Sequence, residues 1–499
     1  MSDDPNTPVP QLPEPEGDGE TRIGVDSWVA ESEDRQGRKG GFFGPAARGW
    51  DASPDPVKLF LFIAFAATLP FWMNEGDLFA YGLFTLLYAT LGLGLNVVVG
   101  FAGLLDLGYV AYFGIGAYGY ALVSSAHYGI HWPTLASLPA VTVFTALIGL
   151  GLGLTSRRLV GDYFAIVTLF FLQAFLVFTN TANPVIAGVG ITGGSSGIGN
   201  LDPLKFFGYA LTGVKQQYYF FLIVLCLATA GLYFANRSRT GRAWRALRED
   251  PLAAEVMSIP VDRLKRLAIV MGAALAGLCG GIFAAIQGAV VSSNFTLNVL
   301  IFIFAVVILG GMGSIAGPIL GAIVINVSFQ FLQPQNDHPD IKRWLFYGAI
   351  VLFIVLIKPW YRAVIVLVGT VVFGFVVHAI VSGVAASSWT SGIPSDAGSA
   401  SIAKDIHDWV VIPNSTLHGG FSTYAYIGLV VLVCVVRSVS GWWRTAVLIP
   451  TLYMTAVVWE NVLAPNPAVT AEILFGVLLI VIMTVRPQGL IGTARVEIV

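Results

Sequence analysis

The sequence predicts an all-α fold, a polytopic transmembrane helical bundle of about fourteen membrane spans, with twelve to fourteen allowed, and both termini cytoplasmic. Three observations carry this. Hydrophobic residues fill 56% of the 499 positions and charged residues only 11%, with 56 glycines, which is more apolar surface than a soluble fold can bury. Apolar runs long enough to cross a bilayer recur from Lys58 to Val485. Lys and Arg gather in alternate connections between those runs, as membrane topology demands.

Residues 1–57 differ in kind from the rest. Ten Asp or Glu precede residue 35 and five prolines occur by Pro15, so a disordered acidic cytoplasmic tail followed by a short basic juncture is expected. No apolar core follows a charged start within the first thirty residues, and no signal peptide is expected. The apolar runs then lie at about 58–73, 78–98, 106–125, 133–155, 160–180, 216–236, 264–287, 297–313, 315–333, 343–357, 363–384, 421–436, 443–463 and 471–485. With the tail placed inside, 22 of the 27 Lys and Arg fall on the cytoplasmic side. The two long outside segments, 181–215 and 385–420, read as solvated loops, the second with one amphipathic turn at Ile402 to Val411. LFYGAIVLFIVLIKP at 345–359 echoes LFGVLLIVIMTVRP at 474–487. Both would run from outside to inside and end on a basic-Pro step, by duplication or insertion, or by shared apolar composition alone.

No catalytic constellation emerges, and an enzyme is not expected. The histidines lack metal-ligand spacing, and Cys226, Cys279 and Cys434 lie singly inside apolar runs as small packing residues. No metal is therefore expected. A P-loop is missing, so the chain does not bind ATP through one of its own. ITGGSSGIG at 191–199 is glycine-rich but lacks the Lys-Ser/Thr ending, and a tight or flexible outside turn is expected.

Residues 92–122, GLGLNVVVGFAGLLDLGYVAYFGIGAYGYAL, carry eight glycines. They permit close helix approach and, around Gly100, Gly103 and Gly108, a broken helix whose backbone could face a solute path. Asp106 sits in that break. An acid at membrane depth is a functional candidate, while one at the cytoplasmic edge is a helix cap. Asn96, Thr168 and Gln173 are further polar candidates for the path, or bonds between helices. A second cluster, VVILGGMGSIAGPILGA at 306–322, predicts a tight turn at Gly310, Gly311 and Gly313.

The most polar stretch after residue 60 is Arg237 to Arg266, with eight Lys or Arg and four Asp or Glu in thirty residues. Within it Asp250-Pro251 is a helix-start signal, an N-cap followed by Pro at the first helical position. The helix LAAEVMSI that follows would expose Leu252, Val256 and Ile259 as one apolar edge and stop at Pro260. Such an edge facing the cytosol suits a socket on a partner protein, and the basic residues around it suit anionic lipid.

NVVVGFAGLLDLGYVAYFGIGAY, GDYFAIVTL at 161–169, ITGGSSGI, GRAWRALREDPLAAEVMSIPV, ILGGMGS and the terminal RPQGL at 486–490 together resemble the LivM-type permease of branched-chain amino-acid ABC importers. The likeness runs from about residue 78 to 358 and resumes at about 471–490. It implies a multi-pass protein of the bacterial cytoplasmic (inner) membrane that forms the path for branched-chain or related small amino acids. Implied partners are a LivH-like permease, two cytoplasmic ATPase subunits that bind the ATP, and a periplasmic solute-binding protein; no cofactor of the chain's own is implied. The resemblance assigns ATPase coupling to Glu249, Asp250, Pro251, Leu252, Ala253 and Ala254, continuing through Glu255, Val256, Met257, Ser258 and Ile259, with Arg242 and Arg245 alongside. Ser258 stands where relatives commonly have Gly. Residues 359–470 look like an insertion of extra helices with a periplasmic loop at 385–420, and nothing in the resemblance gives them a role. Two readings stay open beside it: a permease for urea or short amides, and a stand-alone ion-coupled transporter using Asp106.

Overall fold

A computed structural model describes residues 55–126, 128–155, 162–181, 185–186, 189–206, 208–332, 360–384, 387–390, 406–414 and 420–463, with positions 344, 346–348, 350–351, 354, 476 and 489–490. The described residues are overwhelmingly helical, and among them nine helices are long and apolar enough to cross a membrane, with three shorter apolar helices beside them. Each predicted run coincides with one of these except 343–357 and 471–485, which lie largely outside the described residues. The acidic tail and the echo between the two excepted runs likewise lie outside them. The chain is an all-α, multi-pass membrane protein.

The helices, in chain order, are α1 (Asp55–Trp72), α2 (Glu75–Phe101), α3 (Tyr109–Val123), α4 (Thr134–Thr155), α5 (Asp162–Asn180) and α6 (Val214–Arg237). The polar stretch forms α7 (Arg239–Glu249) and α8 (Pro251–Val256), and the chain continues through α9 (Val261–Gln287), α10 (Leu297–Gly310) and α11 (Ala316–Leu332). Beyond these stand α12 (Trp360–Val384), α13 (Phe421–Ser438) and α14 (Trp442–Val458). The chain divides into two units, Met1–Ala66 and Ala67–Val499, and the helices from α2 onward belong to the second.

Helix α9 is the centre of the packing. Its buried face is a run of small residues, Ala268, Gly272, Ala273, Ala276, Gly277, Gly280 and Ala284, and it packs chiefly on α3 and α4. A methyl group added at Gly116 would strike the Gly277 carbonyl, and one at Gly280 would strike that of Phe113. Without lipid-excluded water to drive association, such backbone-to-backbone approach is what holds membrane helices together.

At one end the 181–215 segment is tied down where it is described. Ile198–Gly199 pairs with Ala289–Val290 as a two-residue antiparallel ladder. Asp202 N–H donates to the Ser124 carbonyl at 2.9 Å, and Lys205 N–H donates to Thr134 Oγ1 at 2.7 Å. His131 Nδ1 meets Asp202 Oδ2 at 2.6 Å. ITGGSSGI is a turn in which Gly193, Gly194 and Gly197 all take positive φ, and it leads into the two-residue strand Ile198–Gly199 and not into a helix.

The helices after residue 358 have their own small core. Ile406, Val410 and Ile412 bury themselves against Ala425 of α13 and Tyr453, Ala456 and Val457 of α14. Trp409 Nε1 donates to the Val371 carbonyl at 3.0 Å. The described part of the expected outside loop is thus packed, not solvated. The correction has a simple cause: one Trp and four β-branched residues in seven positions fill a groove between α12 and α14. Glu460, in a π-helical turn at Trp459–Leu463, is buried and accepts a hydrogen bond from the Tyr347 hydroxyl at 3.2 Å.

Candidate coupling site and helix junction

Helix α8 is built as its sequence dictates. Asp250 holds extended φ and ψ of −150° and 108°, and its Oδ1 accepts from Leu252 N–H at 2.8 Å and Ala253 N–H at 3.1 Å. Two orphan donors of the first turn are thereby satisfied, and Pro251 at the first position has none to lose. The helix ends after Val256, earlier than the sequence suggests. Ser258 takes φ +61°, its N–H donates to the Glu255 carbonyl at 2.9 Å, and Ile259 N–H reaches back to Ala254 at 3.1 Å. This is a Schellman closure, with Ser at the left-handed position that favours glycine. The turn that Ser258 placed in doubt forms all the same.

The early stop changes the exposed edge. Leu252, Val256 and Met257 are 75%, 84% and 75% exposed, whereas Ile259 is half-buried. Met257 thus replaces Ile259 in the apolar edge, because the closing turn folds Ile259 back. Ala254 is buried beneath the helix, and Pro251, Ala253, Glu249 and Glu255 face outward. Arg242 and Arg245, on α7, bond back to the end of α6. Arg242 Nη1 donates to the Arg237 carbonyl at 3.3 Å and Arg245 Nη2 to that of Asn236 at 3.5 Å, where they satisfy the last carbonyls of α6.

Immediately before α8, α7 buries Gly241, Trp244 and Leu247. Trp244 Nε1 donates to the Leu264 carbonyl at 3.0 Å, and its ring stacks on Phe101 at 6.4 Å between centroids. Phe101 ends α2, so the polar stretch is anchored on the glycine-rich break that follows.

The break itself is confirmed between Ala102 and Gly108, with Gly103 at φ +71°. Asn96 opens a π-helical turn at Asn96–Phe101. Its Nδ2 donates to the Ser314 carbonyl at 2.8 Å, while its Oδ1 accepts from Gly313 N–H at 2.8 Å. Gly100 lies against Gly313 N. The turn after α10 is as tight as the sequence suggests, with Gly311 and Gly313 at φ +114° and +86°. The Leu490 N–H donates to the Leu309 carbonyl at 2.8 Å, so the chain at Leu490 returns to this same turn.

Asp106 is wholly buried; its Oδ1 accepts from Gly108 N–H at 2.9 Å in the turn just ahead of α3, and its Oδ2 is buried with no hydrogen-bond partner among the described residues. Leu107 N–H donates to Thr168 Oγ1 at 2.9 Å, tying the break to α5. Gln173 is exposed on α5. Of the path candidates, then, Asn96, Gly100, Gly108 and Thr168 lie at contacts between distant segments of this chain, Asp106 is bonded within the turn before α3, and Gly103 and Gln173 reach the surface. Arg248, which sequence reasoning passed over, lies with its stem against Gly103 and its guanidinium against Gly313. Nothing in the local pattern signals it, since both glycines are distant in sequence. Among the described residues no group of three or more His, Cys, Asp or Glu could hold a metal ion.

Residues 78–358 match the family model described as the branched-chain amino acid transport system / permease component. The high-affinity branched-chain amino acid transport system permease protein LivM of Salmonella typhimurium is 35% identical over 336 residues, covering 62% of this chain and 75% of the relative. LivM of Escherichia coli matches to the same extent. The LivH permease protein of Salmonella typhimurium is 24% identical over 286 residues, 54% of this chain and 89% of its own length. No solved structure matches the chain. With more than half its length matched by the family model and three quarters of each LivM relative covered, the chain belongs to the branched-chain amino acid transport permease family.

Proposed function

We propose that this chain is the LivM-type membrane subunit of an ATP-driven importer for branched-chain or related small amino acids, working through α8. The capped helix, with Leu252, Val256 and Met257 held outward at the end where the charged residues gather, is the observation that supports a docking role. Six residues are too few to be stable alone. The N-cap, the Schellman turn and the anchoring of α7 keep the helix formed without a partner, so its apolar edge is preorganised for a groove on a cytoplasmic ATPase.

In this reading both termini are cytoplasmic, the chain crosses the inner membrane about fourteen times, and the path forms against a LivH-like permease. The likeness to both LivM and LivH relatives supports two related half-paths. ATP is bound by two partner ATPases, and a periplasmic binding protein delivers the solute. The bond from Gly108 N–H to Asp106 Oδ1 gives that acid a part in shaping the break, beside its role as a path candidate.

Co-expression of the chain with its neighbouring ATPase, permease and binding-protein genes tests this. Asp250→Ala or Glu255→Arg is expected to reduce copurification of the ATPase and uptake together, the first by removing a cap worth about 1 kcal/mol. Full uptake with normal ATPase recovery sinks the docking role. Leucine accumulation by the purified chain alone, under an imposed ion gradient, sinks the importer.

A further inference from the structure

We propose that Arg248 is the wedge through which movement of α8 reaches the break between α2 and α3 and the turn after α10. The proposal rests on the importer reading and adds to it a positioning residue outside α8 itself. Three observations converge on it.

The first is the slot. A methyl group at Gly103 would stand 3.3 Å from Arg248 Cγ and 3.6 Å from its Cα, and one at Gly313 would collide with its Nη1. Both glycines have positive φ, +71° and +86°, so neither tolerates a side chain readily. Two left-handed glycines from distant segments thus leave a channel that a long, half-apolar side chain fills.

The second is the pivot. Trp244 is wholly buried, fixed by the Leu264 carbonyl and by the Phe101 ring. Arg248 lies four residues further along the same helix, about 6 Å along its axis. Only Glu249 separates Arg248 from Asp250, whose carboxylate caps α8. A push on α8 therefore turns α7 about Trp244 and shifts Arg248 in its slot.

The third is what the slot walls hold. Gly313 N–H is bonded to Asn96 Oδ1 within the π-helical turn of α2, and Gly103 leads to Asp106 and the start of α3. Arg248 thus touches two places where the backbone is irregular, the break at Gly103 and the turn at Gly313. Irregular backbone of this kind is able to change φ and ψ without breaking a packed helix.

The test uses the full transporter, co-expressed and reconstituted in liposomes, with leucine uptake and ATP hydrolysis measured on the same preparation. Arg248→Ala is expected to leave ATPase copurification and hydrolysis close to wild type, while solute taken up per ATP hydrolysed falls about tenfold, within the usual range of coupling between sites. Arg248→Lys keeps the stem against Gly103 and is expected to recover part of that ratio. If Arg248→Ala does not assemble, Arg248→Gln, of similar reach, is read in the same way. An unchanged ratio overturns the proposal. So does a loss of ATPase recovery in parallel with uptake, which makes Arg248 part of the docking surface. The wild-type transporter reports separately on the importer reading: uptake by it that ignores ATP sinks that reading, whatever Arg248 does.

Discussion

The family-matched core and the helices added after residue 358 bury themselves by different means. In the core, 78% of an eighteen-residue window of α2 and 67% of one in α9 is buried, around which α4, α5 and α6 form a rim only about a third buried. In the added region α12 and α13 bury 17% and 6%, and α14 alone approaches the middle with 44%. Hydropathy does not separate the two, since α12 is the most apolar span among those described. What the glycines meet does. Gly280 of α9 stands against the backbone of α3 and Gly277 against Gly116 of α3 and Thr145 of α4, whereas Gly369 and Gly374 of α12 meet only side chains, those of Ile449 and Trp409, and α12 carries valines to the surface at 364, 368, 371, 372 and 376. Backbone contact fixes one register of crossing helices; an interface of β-branched side chains with lipid leaves register to a few inserted residues such as Trp409.

The sharpest way to break this comparison is to add side chains at matched glycines. Gly280→Leu forces a branched side chain into the Phe113 carbonyl and Ala117 N and is expected to cost about 3 kcal/mol or more, abolishing recovery of monodisperse protein. Gly428→Ala, in α13, meets only the flexible end of Met454 at 3.2 Å and is expected to shift stability by about 0.5 kcal/mol or less. Size-exclusion profiles and thermal melting in detergent measure both. Comparable losses from the two would mean that the added helices are as register-bound as the core.

A smaller effect is expected from removing the added region altogether. The echo between 345–359 and 474–487 places a basic-Pro step at each end of it, and Leu490 packs back on the turn after α10 through its bond to Leu309. Deleting 358–485 joins Ile357 to Arg486 and leaves that bond on the same side of the membrane. The shortened chain is expected to melt within about 5 °C of the full protein and to keep its ATPase. A collapse in yield would show that α12 to α14 complete the core instead of decorating it.

Much of the core was legible in the sequence, because hydropathic length, Gly spacing and the Asp-Pro start are local signals. The break at 102–108, the tight turn at Gly311 and Gly313, and the cap of Asp250 all follow from single residues acting within four positions of themselves. What was not legible depends on partners far along the chain. Arg248 has no local mark, and its position comes from Gly103 and Gly313, neither of which is near it in sequence. The same holds for Ile406 to Ile412, which looked like part of a solvated loop until α12 and α14 supplied a groove. Glu460 escaped notice for a different reason: a lone acid beside Trp, Asn and Leu reads as the end of a span, and only its contact with Tyr347 shows that it is inside. Asp106 shows the limit from the other side. Its burial and the Gly108 bond place it in the turn before α3 and leave both readings, functional acid and helix-end residue, standing.

The finest contrast lies within α8, between a helix end fixed by sequence and one that forms against it. Asp250 and Pro251 are the residues that a helix start prefers, but Ser258 holds φ +61°, where a side chain costs roughly 1–2 kcal/mol relative to right-handed backbone. Two hydrogen bonds of the closing turn and the half-burial of Ile259 offset that cost. Ser258→Gly removes the steric part while raising the entropy of the unfolded loop. The net gain is expected to be small, about 0.5 kcal/mol, and confined to the turn. It is readable as slower proteolysis or amide exchange at 257–260, with the melting temperature of the bundle unchanged. Since a docking partner must find α8 already formed, the same substitution is expected to raise ATPase affinity by no more than about twofold. A fall in affinity instead would mean that the Ser258 side chain itself, and not the turn it closes, is part of the surface that docks.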